Sequence, residues 1–167
     1  MRKHILLLIT LLVTLEVTAQ NNENFYFSNL NLKDGLSQIS VLKIFQDTKG
    51  FIWFGTRNGL NRYDGSEFVI YKHDPKDSLT LSDNHIWSLA EDNDRNLWIG
   101  TARGLNKLDL KTNRIKPFVD ERYGAFAKSE VRCLTVDSRN RLWIGTTKGL
   151  YLYVPAMDVC LLYTSDA

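Results

Sequence analysis

Cysteine is nearly missing from this chain of 167 residues. Cys133 and Cys160 are too few and too widely spaced for the disulfide framework of a small exported domain. Three prolines and ten glycines exclude collagen-like and low-complexity architectures. Neither sign of charge forms a run and the formal net charge is only +2, so no nucleic-acid partner is expected. Gly-Gly, Gly-His and Trp-Asp pairs, a glycine-rich phosphate loop and a G-x-S-x-G elbow are all lacking. His4, His73 and His85 stand in no metal-ligand spacing. The expectation is therefore no metal, no cofactor and no catalytic residue.

Long apolar runs are also lacking, save at the start. Arg2 and Lys3 precede the apolar stretch Ile5 to Leu15, and Val17-Thr18-Ala19 offers small residues for cleavage before Gln20. Residues 1–19 read as a signal peptide; Thr10, Thr14 and Glu16 weigh against a spanning anchor, and no lipidation cysteine follows. The remainder is expected to be exported.

What the chain does contain is a phrase written three times. "FIWFGTRNGLNRYDG", "NLWIGTARGLNKLDL" and "RLWIGTTKGLYLYVP" place Trp53, Trp98 and Trp143 at intervals of 45 residues. Gly55, Gly100 and Gly145 keep step, as do Thr56, Thr101 and Thr146, then Gly59, Gly104 and Gly149, then Leu60, Leu105 and Leu150. Five columns in register define an internal repeat.

Each unit carries strand-like segments separated by turns. In the first they are "SVLKIFQD", "FIWFGT", "LNRYD" and "EFVIYK", with Asn58-Gly59 read as the positive-φ pair of a tight hairpin. The second repeats the plan with "HIWSLAED", "NLWIGT", "LNKLDL" and "RIKPFV"; the third gives "EVRCLTVD", "RLWIGT" and "LYLYV", then breaks off. Asp47, Asp92 and Asp137 precede the first turn of each unit, where a carboxylate can bond the following amides. Cys133 shares its column with Lys43 and Ser88 and reads as incidental.

Small four-stranded sheets repeating at about 40–45 residues are stable only when stacked, which is the plan of a β-propeller blade. The fold expected is all-β: a partial β-propeller of about three four-stranded antiparallel blades with its ring not closed. Blades are placed at 38–82, 83–127 and 128–159, the third incomplete, with 20–37 as an opening strand that would close the ring. The ending "VCLLYTSDA" lacks the blade pattern, and 160–167 resembles a translated sequencing adapter, hence a non-native tail. The tryptophans are expected to fill the space between blades; the rival role is a platform for stacking carbohydrate.

The phrase VxxΦxxDxxGxΦWΦGTxxGLxxYD, with Φ apolar, resembles the two-component regulator propeller repeat from about Phe25 to Val154. "DGLS" before the first blade and the connector "YKHDPKDSLTLSDNHIWSL" resemble the periplasmic sensor region of hybrid two-component histidine kinases. The resemblance implies a fragment of an inner-membrane receptor that senses oligosaccharides from complex glycans. It further implies a homodimer that controls transcription through downstream kinase domains missing here. Family rings have about seven blades. Under this reading the fragment itself is non-catalytic.

The hairpin tips carry Arg57, Asn58, Arg103 and Lys148, which could bind an anionic sugar on the periplasmic side; the plain alternative is solvated turn residues. Two other functions stay open: a secreted propeller enzyme of the lyase or quinoprotein type, and the same sensor coupled to a diguanylate cyclase. Fold alone does not separate them.

Overall fold

A computed structural model of the chain describes residues 27–119 and 128–163. The proposed signal peptide and part of the connector to the third sheet lie outside the described residues. Among the described residues, twelve strands form three four-stranded antiparallel sheets, each in plain sequence order. The first holds β1 (Val41–Gln46), β2 (Ile52–Thr56), β3 (Gly59–Tyr63) and β4 (Phe68–Tyr71). The second holds β5 (Ile86–Glu91), β6 (Asn96–Thr101), β7 (Gly104–Asp109) and β8 (Arg114–Phe118). The third holds β9 (Val131–Val136), β10 (Leu142–Thr146), β11 (Gly149–Val154) and β12 (Val159–Tyr163). Packing between sheets concentrates on the first and second strands, so β1, β5 and β9 converge and the sheets fan outward from them. The result is an open arc of propeller blades, with no α-helix among the described residues.

Period-two alternation decides which side chains meet. In the middle sheet Leu89, Leu97, Ile99 and Leu108 pack toward the first sheet, in a core with Trp53, Leu60 and Ile86. Ala90, Trp98 and Leu105 point the other way, into a core with Leu142, Ile144, Tyr151 and Tyr153 of the third sheet. Every residue of β6 is buried because both its faces are covered, whereas β2 and β10 alternate. Trp53 and Trp98 are fully buried between sheets. Trp143 is only half-buried, because its side of β10 faces away from the second sheet.

The repeated glycines sit where sheets touch. A Cβ on Gly55 would come within 2.8 Å of Ile86 Cγ2, and one on Gly100 within 2.6 Å of the Val131 carbonyl oxygen. At Gly145 the obstacle is the Cys133 side chain, directly opposite on β9.

Three expectations need correction. Val159–Tyr163 forms a regular fourth strand, paired from Leu150↔Tyr163 to Val154↔Val159, so the third sheet is not incomplete. The segment is short, apolar and β-prone, and Asp158 in the left-handed region (φ 49) turns it back onto the open edge of β11. Second, residues 27–37 contain no strand. They hold a 3-10 turn at Leu32–Asp34, because Asn31 and Asp34 cap one another and Gly35 takes φ 104. Residues 20–26 of that proposed strand lie outside the described residues. Third, the hairpin loop is Arg57-Asn58, with positive φ at Gly59 and not at Asn58. Thr56 Oγ1 makes this possible by accepting from Asn58 N at 3.0 Å and donating to the Gly59 carbonyl at 2.9 Å.

Candidate functional site

Much of the repeat is scaffold chemistry. Asp47 Oδ1 accepts from the amides of Lys49 (2.8 Å) and Phe51 (3.1 Å), as the turn reading expects. Its second oxygen accepts from the Trp53 indole at 2.8 Å. Asp92 and Asp137 do the same for Trp98 (2.8 Å) and Trp143 (3.1 Å). The pairing of carboxylate and indole six residues apart was not foreseen, although both columns were visible. The Arg141 side chain and these donors hold the Asp137 carboxyl well below the usual range. Structure also absorbs Ser37 and Ser82, whose amides donate to Asn61 and Asn106 Oδ1, each at 2.8 Å.

The hairpins joining second to third strands lie at the end where each first strand begins, since Thr56 pairs with Val41 and Thr101 with Ile86. At this end all three first strands carry a bulge, between Val41 and Lys43, between Ile86 and Ser88, and opposite Gly145 and Thr146. Leu42, Trp87 and Arg132 are the bulged residues. A bulge re-aims one side chain out of the ladder, and such bulges concentrate near functional sites.

Around the second and third bulges a cluster forms that sequence reading missed. The His85 ring stacks on Trp87 with centroids 4.1 Å apart and an interplanar angle of 27°. The Arg132 guanidinium lies 4.0 Å from the Trp87 ring centroid and pairs with Glu130. Trp87 Nε1 and His85 Nε2 are closed off from water and have no hydrogen-bond partner among the described residues. Burial first, then the Arg57 charge, pushes the His85 pKa below its ordinary 6.5, against the pull of Asp83 and Glu130. The sequence signals were Trp87 itself, the one tryptophan outside the shared columns, and its place 45 residues from both Leu42 and Arg132.

The expected ligand residues divide. Arg57 is exposed and near enough to act on His85. Asn58 is half-buried and spends its side chain on the Ser37 carbonyl at 3.3 Å, a structural role. Arg103 and Lys148 are exposed on the corresponding tips, where their amides donate to Thr101 and Thr146 Oγ1. Among the described residues, no group of three or more His, Cys, Asp or Glu side chains is placed to hold a metal.

The two component regulator propeller family model matches three times, at residues 35–58, 80–103 and 126–148. Three stretches of the chain thus match the two-component regulator propeller repeat. A stretch of 70 residues is 47% identical to Histidine kinase P4 of Formosa agariphila, spanning 42% of this chain and 5% of that protein. The extracellular domain of BT4673 from B. thetaiotaomicron, which bears the name of a one component system, matches at 27% identity and a TM-score of 0.66. That match covers 80% of this propeller chain and 18% of the other. The extracellular domain of BT3049, named for a hybrid two component system of the same organism, shares the fold at 20% identity and a TM-score of 0.51, over 84% of this chain and 26% of its own. The propeller thus spans only a small part of these relatives. No helix among its described residues is long and apolar enough to cross a membrane.

Proposed function

We propose that this chain is part of the exported sensor region of a membrane-bound hybrid two-component histidine kinase, lying on the periplasmic side of the inner membrane. Its ligand would be an oligosaccharide from a complex glycan, bound at the hairpin end of the sheets. Binding would shift the arrangement of a receptor homodimer and so control transcription through the kinase. The observation that carries this reading is the three regulator-propeller repeats, in a chain similar to the extracellular domain of BT4673. The groups gathered at the hairpin end suit recognition: an indole stacked by the Arg132 guanidinium, with a second guanidinium on the exposed Arg57. The chain is therefore assigned binding and no catalysis of its own.

The test uses the full-length receptor in cells with a transcriptional reporter and a panel of glycan-derived oligosaccharides. Induction by one of them is expected, and replacing Arg57 and Arg103 with Ala should weaken its binding about tenfold, as loss of a charge-assisted hydrogen bond does. A receptor that responds to no saccharide would overturn the sensing reading. Unchanged affinity in the double variant would remove the hairpin tips from the site.

A further inference from the structure

Of the chain's four tryptophans, three belong to the repeat, and each donates its indole N–H to an aspartate. Trp87 is the fourth, and its Nε1 has no acceptor among the described residues. A buried N–H without a partner costs about 1–3 kcal/mol, and this scaffold satisfies every indole it uses for packing. Trp87 also occupies a bulge on a first strand, at the end where Arg57 and Arg132 supply positive charge. A recognition group explains what a packing residue does not: an aromatic face, an uncommitted donor and neighbouring guanidiniums.

We propose that Trp87, His85, Arg132 and Arg57 form a subsite for the carboxylate of an acidic saccharide, a uronic acid, with Glu130 standing in for that carboxylate on Arg132. The Arg132 and Glu130 side chains are 47% and 37% exposed, so they part without disturbing the core. The ligand carboxylate exchanges with Glu130 on the guanidinium. As Arg132 swings from the indole, the apolar face of the sugar takes its place and a sugar oxygen reaches Nε1. His85, held toward its neutral form, offers Nε2 to a hydroxyl. Arg57, exposed on its hairpin, adds the second positive charge. The proposal rests on the preceding section only in supposing a saccharide ligand at this end.

Calorimetric titration of the full chain with tri-galacturonate and with neutral galactotriose tests it. The acidic sugar is expected to bind at least about tenfold more tightly. Arg132→Gln should lower that affinity about tenfold, Glu130→Gln should raise it several-fold, and Trp87→Phe should remove the accompanying change in indole fluorescence. Equal affinity for the two sugars, or no binding of either, overturns the subsite. Wild-type affinity in both charge variants would show that Arg132 over Trp87 is packing alone. If Arg132→Gln loses its circular dichroism signal, Glu130→Gln decides, because an unchanged affinity there sinks the exchange. Tight tri-galacturonate binding without reporter induction would leave the subsite standing and remove the sensing role.

Discussion

Asp92 shows how much one side chain can organise. Its two oxygens accept from the amides of Asp94 and Asn96, the Asn96 side chain and the Trp98 indole. Asp92→Ala strips four donors of their acceptor inside a buried turn and should cost about 3 kcal/mol, measured as a shift in urea midpoint. Asp137 has a partner the other two lack, the Arg141 guanidinium at 2.7 Å. Because its folded pKa is depressed, its contribution is present above the ordinary 3.8 and disappears as pH falls below that value. An Asp137→Asn chain should therefore show a flatter loss of stability on acidification. His85 is also depressed, so its contribution is present above 6.5 and is lost as pH falls through its folded pKa. Arg57 and Arg132 press it down and Asp83 and Glu130 push it up. NMR titration should place its midpoint below 6.5; a midpoint above that would mean the two carboxylates outweigh burial.

For the strands, the informative position is the glycine opposite each first strand. Gly100 lies under the next sheet, where an added Cβ would meet the Val131 backbone. Backbone cannot rotate aside, so Gly100→Ala should cost about 2–4 kcal/mol. The matching glycine of the third sheet meets chiefly the Sγ of exposed Cys133, which can turn away. Gly145→Ala should cost under about 1 kcal/mol. Equal losses in thermal or chemical denaturation would contradict the sheet stacking described here. This asymmetry was invisible in the sequence, where both glycines fill one column. Only the position of a sheet in the stack sets them apart.

Taken whole, the molecule is held by packing between sheets and by clasps between their first turns. Glu91 reaches from the second sheet to accept from Thr48 N and Oγ1 of the first, both at 2.8 Å. Asn140 of the third sheet accepts from Asn93 N of the second at 2.9 Å. Neighbour-to-neighbour terms of this kind give repeat arrays their cooperativity. Glu91→Ala should lower stability by about 1–2 kcal/mol in chemical denaturation. A loss below about 0.3 kcal/mol would show that water replaces the clasp at no cost.

The fold was legible in the residues because a repeat multiplies every weak signal by three. Alternation, turn residues and tryptophan spacing all demanded the same stacked sheets, and the buried Trp53 and Trp98 obey. β12 was not legible, since five apolar residues acquire strand register only from the edge they pair with. Nor was the His85–Trp87–Arg132 cluster. Its members come from two sheets, and although Trp87 and Arg132 fill the same bulge position 45 residues apart, with Leu42 as its first member, that column changes residue type in every unit, so repetition did not mark it. Local periodicity determines which face of a strand is apolar; only the convergence of β5 and β9 decides which side chains share a mouth, because that depends on how sheets stack and not on order along the chain.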